Sequence, residues 1–175
     1  METVNDLFED QIKDLYNAET QLLKALPQMA RKASSSELRK GFEKHAEQTQ
    51  KQVDRLLQIA EMWEFKPTGK KCKAMEGLIA EGKEVLSEKG EDSVIDAALI
   101  AAAQRVEHYE ISAYGTAKAL ANRLGCSDTV ALLDETLKEE GETDKLLTRI
   151  CEGSILVSAP VEEDARDEQD SDDEE

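Results

Sequence analysis

The chain has 175 residues, of which 39% are hydrophobic and 35% are charged, and its formal net charge is −17. This length suits one domain with a substantial core, and a composition rich in Ala, Leu, Glu and Lys favours helix over strand. Nucleic acid and anionic membranes are not expected as partners, because binding either one requires clustered lysines and arginines and the chain has no basic run.

The cysteines Cys72, Cys126 and Cys151 are widely spaced and form no paired motif. This pattern predicts reduced thiols in a cytoplasm. The N-terminal segment has no apolar signal core, and the chain has no stretch of about 18 apolar residues that would span a membrane. A cytoplasmic protein without a membrane span is therefore the expectation.

Two long helices are predicted in the first part of the chain. The first covers about residues 4–32, and Pro27 is expected to kink or break its last turn. Its apolar positions recur every three, four or seven residues: Phe8, Ile12, Leu15, Leu22 and Leu26. The second begins after a capping-box pattern of Ser34 and Glu37 and ends near Glu64.

Three further helices are predicted after this pair: a short one over residues 72–88 and two long ones over residues 92–124 and 127–156. Short connections make sequential helices antiparallel neighbours, so the pattern indicates an all-α four-helix bundle of two antiparallel pairs with the short helix in the crossover. We predict that residues 1–158 form this bundle. Residues 159–175, which are rich in acids, are predicted to form a disordered tail.

Polar residues interrupt the apolar stripe of each long helix at a similar height in the predicted bundle. The first long helix has Glu19, and the second has His45 with Gln48 one turn on. The long helix over residues 92–124 has Glu107 and Glu110, and the one over residues 127–156 has Glu140 and Asp144. Taken singly, a glutamate such as Glu19 can sit at the margin of a stripe, and His45 can be a hydrogen-bonded core histidine.

Together these residues indicate a metal site, because burying an unpaired carboxylate costs several kcal/mol and few basic residues share the stripes. Two divalent cations would neutralise most of the charge. Oxygen ligands with one imidazole suit iron or manganese, and zinc also fits.

Five segments of the chain resemble the YciE/YciF-type branch of the ferritin-like superfamily. They are LFEDQIKDLYNAETQLLKALPQM (7–29), FEKHAEQT (42–49), CKAMEGLI (72–79), DAALIAAAQRVEHYEISAYGTAKALA (96–121) and LLDETLKEEGETDKLL (132–147). The resemblance covers about residues 4–152. It implies a ferritin-like bundle with a crossover, a dinuclear metal centre, a homodimer and a stress-linked role. By position it implies the ligands Glu19, His45, Glu107, Glu110, Glu140 and Asp144.

The chain departs from the usual di-iron pattern, which has a Glu-x-x-His motif on two helices. Phe42 stands three residues before His45, Gln48 occupies the place of a second carboxylate, and Asp144 would replace a histidine. The predicted centre is therefore rich in carboxylates and poor in histidine.

Two functions are compatible with these residues. The first is a di-metal oxidoreductase, catalase-like, peroxidase-like or ferroxidase-like, whose small oxidant is peroxide or O2 and in which Tyr114, one turn from Glu110, hydrogen-bonds a ligand or simply packs. The alternative is a non-enzymatic, dimeric stress or interaction module without a functional metal centre. In that case the inward acids would be protonated, linked by water or paired with hidden lysines.

Overall fold

The computed structural model describes residues 1–161, and within that range all regular structure is helical. The elements are α1 (Val4–Lys32), α2 (Ser36–Met62), α3 (Lys73–Ser87), α4 (Asp92–Arg123), α5 (Ser127–Ile150), a π-helical turn (Cys151–Ile155) and α6 (Leu156–Ser158). The predicted all-α class is confirmed. The predicted tail lies, from residue 162 onwards, outside the described residues. Up to residue 161, no helix combines the length and the apolar character that crossing a membrane requires.

Helix α1 begins at a capping box and continues through its proline. The Thr3 hydroxyl accepts from the backbone N–H of Asp6, and the Asp6 carboxylate accepts from that of Thr3. Of the kink or break expected at Pro27, the break does not occur, because α1 continues through this residue to Lys32. Because Leu26 and Met29 on either side of it are buried in the core, their packing offsets the lost backbone hydrogen bond.

The turn between α1 and α2 is fixed by a buried carboxylate from α4. The backbone N–H groups of Ser34 and Ser35 donate to Asp96 at 3.0 and 2.8 Å. Ser35, rather than Ser34, caps α2 by accepting from the N–H of Leu38. The predicted Ser34 capping box is thus wrong because Ser34 donates to a neighbouring helix. Asp96 itself is a buried acid whose two oxygens are both satisfied.

Each long helix packs against two others, in the cyclic order α1, α2, α5, α4, while α3 covers α1 and α4. The connections at residues 33–35 and 124–126 are short, so α1 runs antiparallel to α2 and α4 to α5. The residues between α2 and α4 carry α3, which places this helix in the link between the two pairs.

The apolar core is divided into two clusters along the length of the bundle. Leu26, Phe42, Leu99, Leu147 and their neighbours form the cluster near the α1–α2 turn. The opposite cluster contains Phe8, Ile12, Leu15, Leu56, Tyr114 and Leu133. On each long helix the side chains between the two clusters include buried polar residues, so the core contains a polar layer.

Candidate metal centre

The polar layer is built by all four long helices at one level of the bundle. Its members are all buried: Glu19 from α1, His45, Thr49 and Gln52 from α2, Glu107 and Glu110 from α4, and Thr136, Glu140 and Thr143 from α5. Residues three, four or seven apart share one face of a helix, which is why these side chains point inward together. No lysine or arginine is buried among residues 1–161, so the layer has an excess of acid.

Four of these side chains converge on a common point. His45, Glu107, Glu110 and Glu140 each place one ligand atom so that all four atoms lie within 4.8 Å of one another. The Nε2 atom of His45 lies 3.1 Å from Oε1 of Glu107, which is within ion-pair distance but without the alignment of a hydrogen bond. We call these four residues the core group. Three carboxylates and an imidazole in this arrangement are able to bind a cation.

Glu19 adjoins the core group and is held by a tyrosine. The Tyr114 hydroxyl donates to Oε1 of Glu19 at 2.6 Å, and both side chains are fully buried. Burial raises the pKa of Glu19 to about 7, although the hydrogen bond from Tyr114 and the charge of His45 oppose the shift. The sequence left open whether Tyr114 hydrogen-bonds a predicted ligand or only packs. In the structure its hydroxyl hydrogen-bonds Glu19.

The carboxyl groups of the core group have strongly shifted acidities. Burial, together with the charges of Glu19 and Glu140, raises the pKa of Glu110 well above its ordinary value. Burial and the charges of Glu107 and Glu19 do the same to the pKa of Glu140. For His45, burial lowers the pKa, but the charge and close contact of Glu107 and the charges of Glu19 and Glu139 together outweigh burial, and the pKa is raised. Each shift reflects negative charge concentrated in a medium of low dielectric constant.

Many polar atoms of the layer lack a hydrogen-bond partner among residues 1–161. They are Oε2 of Glu19, Glu107 and Glu140, both carboxylate oxygens of Glu110, both ring nitrogens of His45 and Oε1 of Gln52. A buried polar atom without a partner costs about 1–3 kcal/mol, and native proteins contain few of them. So many in one layer, most of them carboxylate oxygens, leave a concentration of buried acid without matching donors among residues 1–161.

The structure does not bring Gln48 and Asp144 to the core group. Gln48 is half-buried and lines a surface groove between α2 and α5, together with Lys44 and Arg149. Asp144 accepts a hydrogen bond from Gln104 at 3.0 Å, and its Oδ1 lies 3.3 Å from Nε2 of the exposed His108. Both side chains therefore lie outside the layer, Gln48 at a surface groove and Asp144 beside Gln104 and His108.

Sequence reasoning missed Gln52, a buried residue of the layer that contacts one of the predicted ligands. Its Nε2 atom donates to Oε1 of Glu140 and, at 3.1 Å, to Oε2 of Glu139. It stands seven residues after His45, two helical turns along the same face. This seven-residue spacing from His45 could have identified Gln52 as an inward-facing residue from the sequence.

Replacing Tyr114 by phenylalanine is expected to destabilise the metal-free protein by about 1–3 kcal/mol, because Glu19 then loses its buried donor. Urea unfolding in the presence of a chelator measures this. Tyr16→Phe is the matched control, since the Tyr16 hydroxyl makes no hydrogen bond within residues 1–161. If both variants lose the same free energy of unfolding, the hydrogen bond between Tyr114 and Glu19 makes no specific contribution to stability.

The protein is an all-helical bundle whose core contains a carboxylate-rich polar layer. The chain belongs to the family described as "Domain of unknown function (DUF892)", which matches residues 3–159. It is 45% identical over 160 residues to Protein YciF of Escherichia coli, covering 91% of this chain and 96% of that one. The resemblance to the YciF-type family is thereby confirmed.

Solved structures agree with this assignment. The crystal structure of the E. coli stress protein YciF has a TM-score of 0.87 at 44% identity and covers 91% of this chain and 100% of its own. YcfI of Rhodopseudomonas palustris has a TM-score of 0.82 at 42% identity, with 85% and 94% covered. A protein from Xanthomonas campestris pv. campestris, with a TM-score of 0.70 at 19% identity and 89% and 95% covered, shares the fold alone.

Proposed function

We propose that the polar layer binds two divalent metal ions and that the protein is a ferritin-like di-metal carboxylate protein. The observation that carries this proposal is the set of buried carboxylate oxygens without hydrogen-bond partners among residues 1–161. The four buried glutamates of the layer carry four negative charges when ionised, and two divalent cations balance that charge.

The donor set selects among metals. We assign Glu19 and the core group, His45, Glu107, Glu110 and Glu140, as the ligands, without Gln48 and Asp144, which lie outside the layer. Carboxylate oxygens with a single imidazole suit iron or manganese, and zinc also fits. Thiolate-preferring metals are a poor match, because none of the free cysteines belongs to the core group.

Bound iron or manganese would supply electron transfer to peroxide or O2, as a peroxide-reducing or ferroxidase-type activity requires. The chain's own residues have other tasks. Tyr114 holds Glu19, Gln52 holds Glu140, and the two apolar clusters keep bulk water from the layer. In such dry surroundings electrostatic interactions are stronger than in water, and the ligands are kept in place before a reaction begins.

The relative described as a stress protein supports a role for this chain in oxidative or general stress. A homodimer is part of the proposal. It is tested by sedimentation equilibrium of the full chain.

Metal analysis of the purified protein tests the proposed function. After loading with Fe(II) under anaerobic conditions, or with Mn(II), and removal of excess ion, we expect close to two tightly held ions per chain. Peroxide reduction and Fe(II) oxidation are then assayed on the loaded protein. A protein that retains no ion contradicts the proposal.

The second candidate is a metal-free interaction module, favoured by the contact between His45 and Glu107 at 3.1 Å. With raised pKa values at Glu110 and Glu140, protonation can also neutralise the remaining acids. This candidate requires that thermal stability be the same with added Mn(II) and with chelator. A rise in Tm on metal addition contradicts it, because a ligand that binds the native state stabilises that state.

A further inference from the structure

A continuous series of polar contacts leads from the surface to the polar layer between α2 and α5. It begins at Glu135 and Glu139 on α5, which both contact Arg55 on α2. It continues from Glu139 through the amide of Gln52 to Glu140. The side chain of Glu135 is 60% exposed and that of Glu139 20% exposed, while Glu140 is fully buried. The carboxylates thus form steps of decreasing exposure.

Arg55 occupies the outer position of this series as a cation would. Its guanidinium donates to both oxygens of Glu139, at 2.6 and 3.0 Å, and to Oε1 of Glu135 at 2.5 Å. Planar guanidinium groups bind carboxylates in this two-pronged way. The other ion pairs that lysine or arginine forms within residues 1–161, such as Lys118 with Asp134, have no comparable connection to a layer residue.

Gln52 joins the outer carboxylate to the inner one. Its Nε2 atom is shared by Glu139 and Glu140, while its Oε1 atom is buried and has no partner among residues 1–161. For a purely structural contact this unpaired oxygen is an unnecessary cost, since an apolar residue of similar size would avoid it. On a path taken by cations, a free amide oxygen is an additional oxygen ligand between two carboxylates.

We propose that Glu135, Glu139 and Gln52 form the route by which divalent cations reach Glu140, and that Arg55 fills its outer position until an ion displaces it. This inference rests on the proposed function, because it supplies the same metal site. It concerns the rate of loading and leaves the number of bound ions unchanged.

Stopped-flow mixing of the metal-free protein with Co(II), followed by the visible absorption of the bound ion, tests the route. Glu139→Gln is expected to slow loading about tenfold, because a step of the route loses its charge. Arg55→Gln is expected to speed it, because the competing cation is gone. Glu142→Gln is the control of equal charge, since this exposed glutamate on α5 lies on the side of Lys44 and Arg149.

The opposite signs expected for Glu139→Gln and Arg55→Gln separate a route from general damage, which would change both rates in the same direction. Equilibrium metal content is measured on each variant and should equal that of the wild type. If the wild type binds metal and Glu139→Gln loads as fast as Glu142→Gln, the route is wrong and the metal site stands. If the wild type binds no Co(II), Fe(II) or Mn(II), both proposals fail.

Discussion

Replacing Glu110 and Glu140 together by glutamine is expected to abolish tight metal binding and to make the metal-free protein more stable than the wild type. Both residues belong to the core group, so half of its ligands lose their charge. Burial and neighbouring acids raise both pKa values well above the ordinary range, so above the unfolded pKa the folded wild type binds more protons at these two sites than the unfolded chain does.

Glutamine removes that penalty because it is neutral in both states. A group protonated only in the folded state costs about 1.4 kcal/mol for each pH unit above its unfolded pKa. Since the two sites are coupled, the gain belongs to the pair, and we expect the metal-free variant to unfold at a Tm several degrees above that of the wild type at pH 8. Elemental analysis and thermal unfolding in chelator measure the two effects.

The control replaces two exposed glutamates, Glu47 and Glu142, by glutamine, which changes the net charge by the same amount. It should bind metal like the wild type and unfold within a few degrees of it. The ligand assignment fails if the core variant keeps its ions. The electrostatic account fails if the metal-free core variant is less stable than the wild type at pH 8.

The metal-free wild type is expected to lose stability as pH rises from 5 to 9. Glu19, Glu110 and Glu140 all have raised pKa values, that of Glu19 reaching about 7. The pKa of His45 is raised as well. In each case the folded state binds more protons than the unfolded state above the unfolded pKa, so the free energy of unfolding falls with increasing pH.

For Glu19 alone, with a pKa of about 7, the decline should be on the order of 2–3 kcal/mol between pH 5 and 7, measured by urea unfolding in chelator at several pH values. Groups with lowered pKa values, such as Glu139 and Asp134, affect stability only below the range, where they become protonated. Bound metal should reverse the trend, because ligation favours the deprotonated carboxylates. If the free energy of unfolding in chelator does not change with pH, the acids of the layer bind the same number of protons in the folded and unfolded states, and the prediction is wrong.

Most helices were predictable from the sequence because their apolar residues repeat with helical spacing. The first predicted helix, over about residues 4–32, and the short helix predicted over residues 72–88 agree with α1 and α3. The contribution of Asp96 to the α1–α2 turn had no local signal, because its partners, Ser34 and Ser35, lie about 60 residues away. Long-range hydrogen bonds of this kind depend on tertiary packing.

The placement of the candidate ligands follows from helical geometry. Side chains advance by about 100° per residue, so Gln48, three residues after His45, is rotated by about 60° from it, whereas Gln52, seven residues on, is rotated by only about 20°. The first therefore faces the groove and the second faces the layer. Asp144 is turned toward α4, where Gln104 supplies a donor that the stripe pattern did not reveal.

The two apolar clusters on either side of the polar layer also bear on how cooperatively the molecule unfolds. Each end of the bundle contains its own packed cluster, and the charged layer between them contributes little attraction when it is empty of cations. Metal ligands contributed by all four long helices would tie the two ends together at that level. A bound metal centre would therefore affect unfolding as well as chemistry, because it would couple the packing of the two ends into one cooperative transition.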